Sequence, residues 1–137
     1  MTTYEYLHSI YLDSLAIDSK QQKYNAILAQ ATRITSALSP VSNGGVHNPQ
    51  SKESCLVALA DMSVELATCW DKFAARKAEA IKYISQIPDC KCRRLLIYRY
   101  IDFMPWSKVA REIGVSKAHA RGYLNNKAIQ YLEKLLT

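Results

Sequence analysis

Three histidines and four cysteines are the residues best able to bind a metal or attack a substrate, and their spacing supports neither. His8, His47 and His119 lie far apart along the chain and form no constellation with a cysteine, serine or aspartate. Only Lys91 separates Cys90 from Cys92, and no histidine follows at a zinc-finger distance. Cys55 and Cys69 fall in apolar helical patterns, where a thiol serves as a small hydrophobe. No glycine-rich loop cradles a phosphate. The expectation is a non-enzyme that needs no metal and no other cofactor.

A second group of residues has a different chemistry. Lys117, Ala118, His119, Arg121, Gly122 and Asn125 are small, cationic or hydrogen-bonding, and none is acidic. Arginine and asparagine pair with guanine and adenine edges, while lysine and the amides at a helix N-terminus suit phosphates. With Ser107, Ser116 and Arg94 they make the expected DNA-binding set. Gly122 stands inside a helical pattern, where it costs roughly 0.5–1 kcal/mol relative to alanine. Close approach of a DNA backbone would account for it.

The frame that could position these residues runs from Trp106 to Asn125. With Trp106 as the first of twenty positions, the fifth must be small where two helices cross, and it is Ala110. The ninth must turn with positive φ, and it is Gly114. Apolar residues are needed at Val109, Ile113, Val115, Ala120 and Tyr123, and all five comply. Ser107 and Ser116 are suited to cap the first and second helices. This is the pattern of a helix-turn-helix whose second helix, starting at Ser116, enters the major groove. An upstream helix, Asp89 to about Phe103, carries Lys91, Arg93, Arg94 and Arg99 around an apolar face and is expected to support the motif from behind.

Charge divides the chain in the same place. Residues 1–87 hold eight Lys/Arg and eight Asp/Glu, whereas residues 88–137 hold ten and four, so the whole net charge of +6 lies in the last part. Solubility alone does not require that asymmetry, and steering towards a polyanion does use it. With 49% apolar and 22% charged residues the chain has the balance of a folded protein rather than a disordered one. No apolar run is long enough to span a bilayer. The N-terminus has neither the basic nor the apolar region of a secretory signal, and the cytoplasm is the expected compartment.

Glycine and proline mark the elements. Pro40, Gly44, Gly45 and Pro49 share the polar stretch Ser39 to Gln50, read as a loop. Before it, Thr3 to Leu38 has neither residue, and Thr2 with Glu5 makes a capping box. Leu7, Ile10, Ile17, Tyr24, Leu28, Ala31 and Leu38 recur along one seam. After it, Ser51 is suited to cap a helix from Lys52 to Ile87, whose stripe runs Leu56, Leu59, Leu66, Trp70, Phe73, Ala80, Ile84 and Ile87. Both seams are narrow, of the heptad kind. The predicted fold is therefore all-α: a long antiparallel hairpin (1–87) serving as a dimerisation or partner-binding arm, then a helix-turn-helix domain (88–137). Tyr4, Tyr11, Leu15, Ile27, Leu56, Met62 and Ile81 flank the seams with further apolar surface, which points to a homodimer.

Leu95-Leu96-Ile97-Tyr98-Arg99-Tyr100-Ile101, a short gap and Trp106 to Ser116 resemble the sigma-70 region-4-like helix-turn-helix of phage and prophage transcriptional regulators akin to the ArpU and RinA late-gene activators. A looser similarity extends through Ala31 to Pro40 and Ile81 to Asp89. The resemblance implies a regulator of phage transcription in a bacterial host, with double-stranded promoter DNA and host RNA polymerase as partners. The chain departs from that pattern after Ser116. His119-Ala120 replaces a usual Thr-Val, and Asn125-Asn126-Lys127 displaces the distal pattern by about one residue. The competing expectation is a protein-interaction module that docks on polymerase or another regulator without contacting DNA. The basic C-terminal part favours DNA between the two.

Overall fold

The computed structural model describes residues 2–37 and 49–137, with side chains for 2–33 and 52–137. Leu38 and residues 39–48 of the expected loop lie outside them. The fold is all-α. Two long helices, α1 (Thr3–Ala37) and α2 (Pro49–Ile84), precede a set of short ones: α3 (Cys90–Leu96), α4 (Trp106–Ile113), α5 (Lys117–His119) and α6 (Asn125–Leu136). A π-helical turn, Ile97–Ile101, extends α3, and a second, Ala120–Leu124, joins α5 to α6 without a break.

The start of α1 follows its local signal. Glu5 accepts from the Thr2 amide at 2.9 Å, and Thr2 Oγ1 accepts from the Glu5 amide at 3.1 Å, a complete capping box. The start of α2 does not. It begins at Pro49, so Ser51 lies in the first turn rather than at the cap. Proline suits that first position because it has no N–H to leave unbonded and its φ is already helical. The helix also ends at Ile84 instead of Ile87, and a tighter turn carries the chain to Pro88.

The molecule divides into two compact units. One comprises residues 1–14 and 72–137. Leu7 and Ile10 of α1, with Ala80 and Ile84 of α2, are buried in this unit along with Leu95, Leu96, Ile101, Val109, Ala120 and Leu132. Polar bonds across the two long helices run antiparallel: Tyr6 to Glu79 at 3.3 Å, and Arg76 to Asp13 at 3.0 Å. Asp89 caps α3 by accepting from the Lys91 and Cys92 amides, and its other oxygen meets Lys127 Nζ of α6 at 3.0 Å.

The other unit comprises residues 15–71. Its buried side chains among the described residues are Ile17, Ala31, Cys55 and Leu66, and Lys20 bonds Glu65 at 2.6 Å. Here the seam differs from the sequence reading by one position. Cys55 and Cys69, buried and half-buried, take the inward places expected of Leu56 and Trp70, which are 52% and 49% exposed. Leu28 is exposed as well, with Ile27 half-buried beside it. The inward series Cys55, Leu59, Met62, Leu66 and Cys69 alternates steps of four and three, so the thiols act as small hydrophobes that keep the heptad spacing. Among the described residues no helix is long and apolar enough to cross a membrane.

Candidate nucleic-acid interface

The chain enters α4 through Pro105, whose extended backbone caps the helix and whose carbonyl accepts from the Lys108 and Val109 amides at 3.0 Å. Ser107 is thus one residue inside the helix, exposed, and not its cap. Val109, Ala110 and Ile113 face the core. Gly114 then closes α4 in the left-handed region, φ 83° and ψ 34°, with its amide and that of Val115 both bonded to the Ala110 carbonyl. Two residues on, Ser116 Oγ accepts from the His119 amide at 3.1 Å and starts the next helix. The turn and the cap stand where the twenty-position frame puts them.

Lys117, Ala118, His119 and Arg121 are exposed on this second helix, and Gly122 is half-buried among them. Lys117, Ala118, Arg121 and Gly122 together line one shallow, open depression. A side chain at Gly122 would meet nothing within 4 Å, and its φ is not in the left-handed region, so the chain's own packing does not require a glycine there.

Beyond Ala120 the helix widens, and this overturns two expectations. In the π-helical turn Ala120–Leu124 the Asn125 amide reaches back five residues to the Ala120 carbonyl. The wider turn passes the inward position from Tyr123 to Leu124. Leu124 is buried, while Tyr123, expected in the core, is 61% exposed and stacks on His119 with ring centres 5.4 Å apart. Asn125 turns inward too. It is 7% exposed, accepts from the Tyr100 hydroxyl at 2.8 Å and donates to the Tyr4 hydroxyl at 3.2 Å. Burial, with the nearby Tyr4 as a lesser cause, pushes the Tyr100 phenol up to about 12, so it keeps the proton it donates. An amide held in that way reads no base.

Arg94 is exposed, yet its guanidinium is already engaged. Nη2 donates to the Glu112 carbonyl at 2.9 Å and to the Tyr98 hydroxyl at 3.3 Å. It therefore caps the C-terminus of α4 from α3, where a cation also complements the helix dipole. Lys127 is likewise engaged, with Asp89.

Of the four cysteines, Cys55 and Cys92 are buried, Cys69 is half-buried and Cys90 is exposed. Burial, with Asp89 second, pushes the Cys92 thiol up to about 11 and keeps it protonated. Among the described residues no group of three potential metal ligands comes together. No family model, curated protein or solved structure matches the chain.

Proposed function

We propose that this protein is a sequence-specific DNA-binding regulator of phage or prophage transcription that reads the major groove with the helix beginning at Ser116. The observation that carries the reading is the left-handed turn at Gly114 followed by the Ser116 cap and an exposed, acid-free face of Lys117, Ala118, Arg121 and Gly122. The net charge of +6 confined to residues 88–137 supports it through the field it sets up. Arg121 is the candidate base reader, with Lys117 and the first amides of the helix on phosphates. Selection of bound fragments from random DNA, followed by footprinting, tests the proposal. Enrichment of a defined site with affinity falling steeply as salt rises is the expected result. Recovery of no common sequence, with a flat salt response, defeats it.

Tyr123 favours a second reading, because an exposed aromatic beside the proposed recognition face also suits a protein partner such as RNA polymerase. Retention of polymerase with no DNA enrichment would select that reading.

The partner proposed for the 15–71 unit is a second copy of the chain. Leu15, Leu28, Leu56, Val57 and Val64 leave apolar side chains exposed there, as interfaces commonly do. Sedimentation equilibrium at micromolar concentration is expected to give a dimer mass, and a clean monomer mass rejects the dimer.

A further inference from the structure

Away from the DNA-facing helix, the unit formed by residues 1–14 and 72–137 holds a cavity of about 520 Å³. That is within the size range of small-molecule sites, roughly 300–1,000 Å³. Tyr4, Tyr11, Tyr100 and Phe103 supply aromatic walls, and Leu7, itself fully buried, adds an aliphatic side. Arg99 is the one formally charged residue of the lining, His8 completes it, and none of the lining residues is acidic.

Three details indicate that the cavity is built for an occupant rather than left by loose packing. Arg99 is held in place on both sides: Nη1 donates to the Met104 carbonyl at 2.9 Å, and the guanidinium lies 4.9 Å from the Trp106 ring centre. Those contacts leave other guanidinium N–H groups without a hydrogen-bond partner among the described residues and orient the fork, the geometry suited to a carboxylate. Phe103 is the only non-glycine with positive φ among the described residues, at 56°. Such strain is tolerated where it positions a side chain, and here the ring meets Tyr11 edge-on at 5.4 Å. Finally, the hydroxyls of Tyr4 and Tyr100, both in the lining, are the two partners of the Asn125 side chain.

We propose that this cavity binds a small aromatic carboxylate, its ring packed among Tyr4, Tyr11, Tyr100 and Phe103 and its carboxylate paired with Arg99. The charge of the lining decides against a neutral aromatic, because a lone guanidinium facing an apolar guest would lose water without gaining an acceptor. An occupant pressing on Tyr4 and Tyr100 also perturbs the Asn125 amide. The binding requires no DNA, so its test stands or falls separately from the regulator reading.

Indole-3-acetate is titrated into the full chain, with the neutral indole-3-acetamide as the paired probe, by calorimetry and by NMR of the His8 ring and the Asn125 side-chain amide. Saturable binding of the acid is expected, with the amide weaker by about tenfold, the loss of one charge-assisted hydrogen bond. Both signals are expected to move together. Tyr11→Ala weakens both probes, and Arg99→Gln brings the acid to the level of the amide. The acid–amide comparison on the unaltered chain decides the matter even if a variant folds poorly. Equal affinity for acid and amide overturns the proposal and points to the neutral side chain of a protein partner instead. Failure of the acid to saturate, or saturation without movement of His8 and Asn125, overturns it as well.

Discussion

Tyr100 donates its phenolic proton to Oδ1 of Asn125 across 2.8 Å, from the π-turn after α3 to the first residue of α6. The bond makes Asn125 a structural polar residue at the start of α6. Asn125→Ala leaves the half-buried Tyr100 hydroxyl without its acceptor, which costs about 0.5–1.5 kcal/mol. Thermal denaturation is expected to show that loss, while the base preferences of selected DNA stay as they were. A changed consensus with unchanged stability would return Asn125 to the DNA surface.

The two described glycines of the motif are expected to respond oppositely to alanine. Neither has an atom within 4 Å of the added Cβ, so the backbone alone decides. Gly114→Ala forces a side chain into φ 83° and destabilises by roughly 1–2 kcal/mol. Gly122→Ala relieves a helical glycine and stabilises by about 0.5–1 kcal/mol. If DNA approaches closely at Gly122, the more stable variant binds DNA less well. Equal DNA affinity of the alanine variant and the parent would show that the glycine makes no room for DNA.

Substitutions among the cations should separate reading from attraction. Arg121→Ala is expected to reduce the preference for the selected site over random DNA by roughly 1–3 kcal/mol. Lys117→Ala is expected to weaken binding to every sequence alike and lower the salt slope by about one. Arg94→Ala differs from both, because it also removes the cap on Glu112 and lowers the melting temperature. An Arg121 variant with an unchanged preference ratio would exclude base reading by this residue.

Stability should respond to acid through Asp89. The hydrogen bond from Lys127, and secondarily the Cys92 and Lys91 amides, hold its carboxyl below the ordinary 3.8. A depressed carboxylate pKa contributes stability above its unfolded value, and that contribution disappears as pH falls through the lowered folded value. Lys127 is raised above its ordinary 10.5, chiefly by the same bond, so its share is lost only as pH rises through the raised value. Asn caps a helix about as well as Asp. Asp89→Asn should therefore melt below the parent at neutral pH, with the gap closing at pH below about 3.8, the ordinary Asp value. A gap unchanged in strong acid would mean that the carboxylate charge is not involved.

Features governed by a few neighbouring residues were legible in the sequence. Thr2 with Glu5, Gly114 and Ser116 each adopt the local geometry their types favour. The inward face of α4 followed from spacing alone, because one helical turn relates Val109, Ala110 and Ile113. What could not be read is register set from a distance. Trp70 and Leu28 are apolar enough for a seam, and only the fit of one long helix against another selects Cys69 and Ile27 in their places. Tyr123 and Asn125 exchanged their expected environments because the Ala120–Leu124 turn departs from 3.6 residues, a departure that no residue type demands. The Gly114 turn and the Ser116 cap were thus legible, whereas the cap of α4, the engagement of Arg94 and the environments of Tyr123 and Asn125 were not.

The same widened turn gives this segment a tolerance to changes in length. Deleting Tyr123 would allow an ordinary α pitch, carrying the chain from Ala120 to Leu124 in three steps, with both still on the inner face. A deletion scan along residues 117–136 is therefore expected to find one permissive point in an otherwise intolerant helix. That would make the turn a place where the chain can lose a residue without undocking α6.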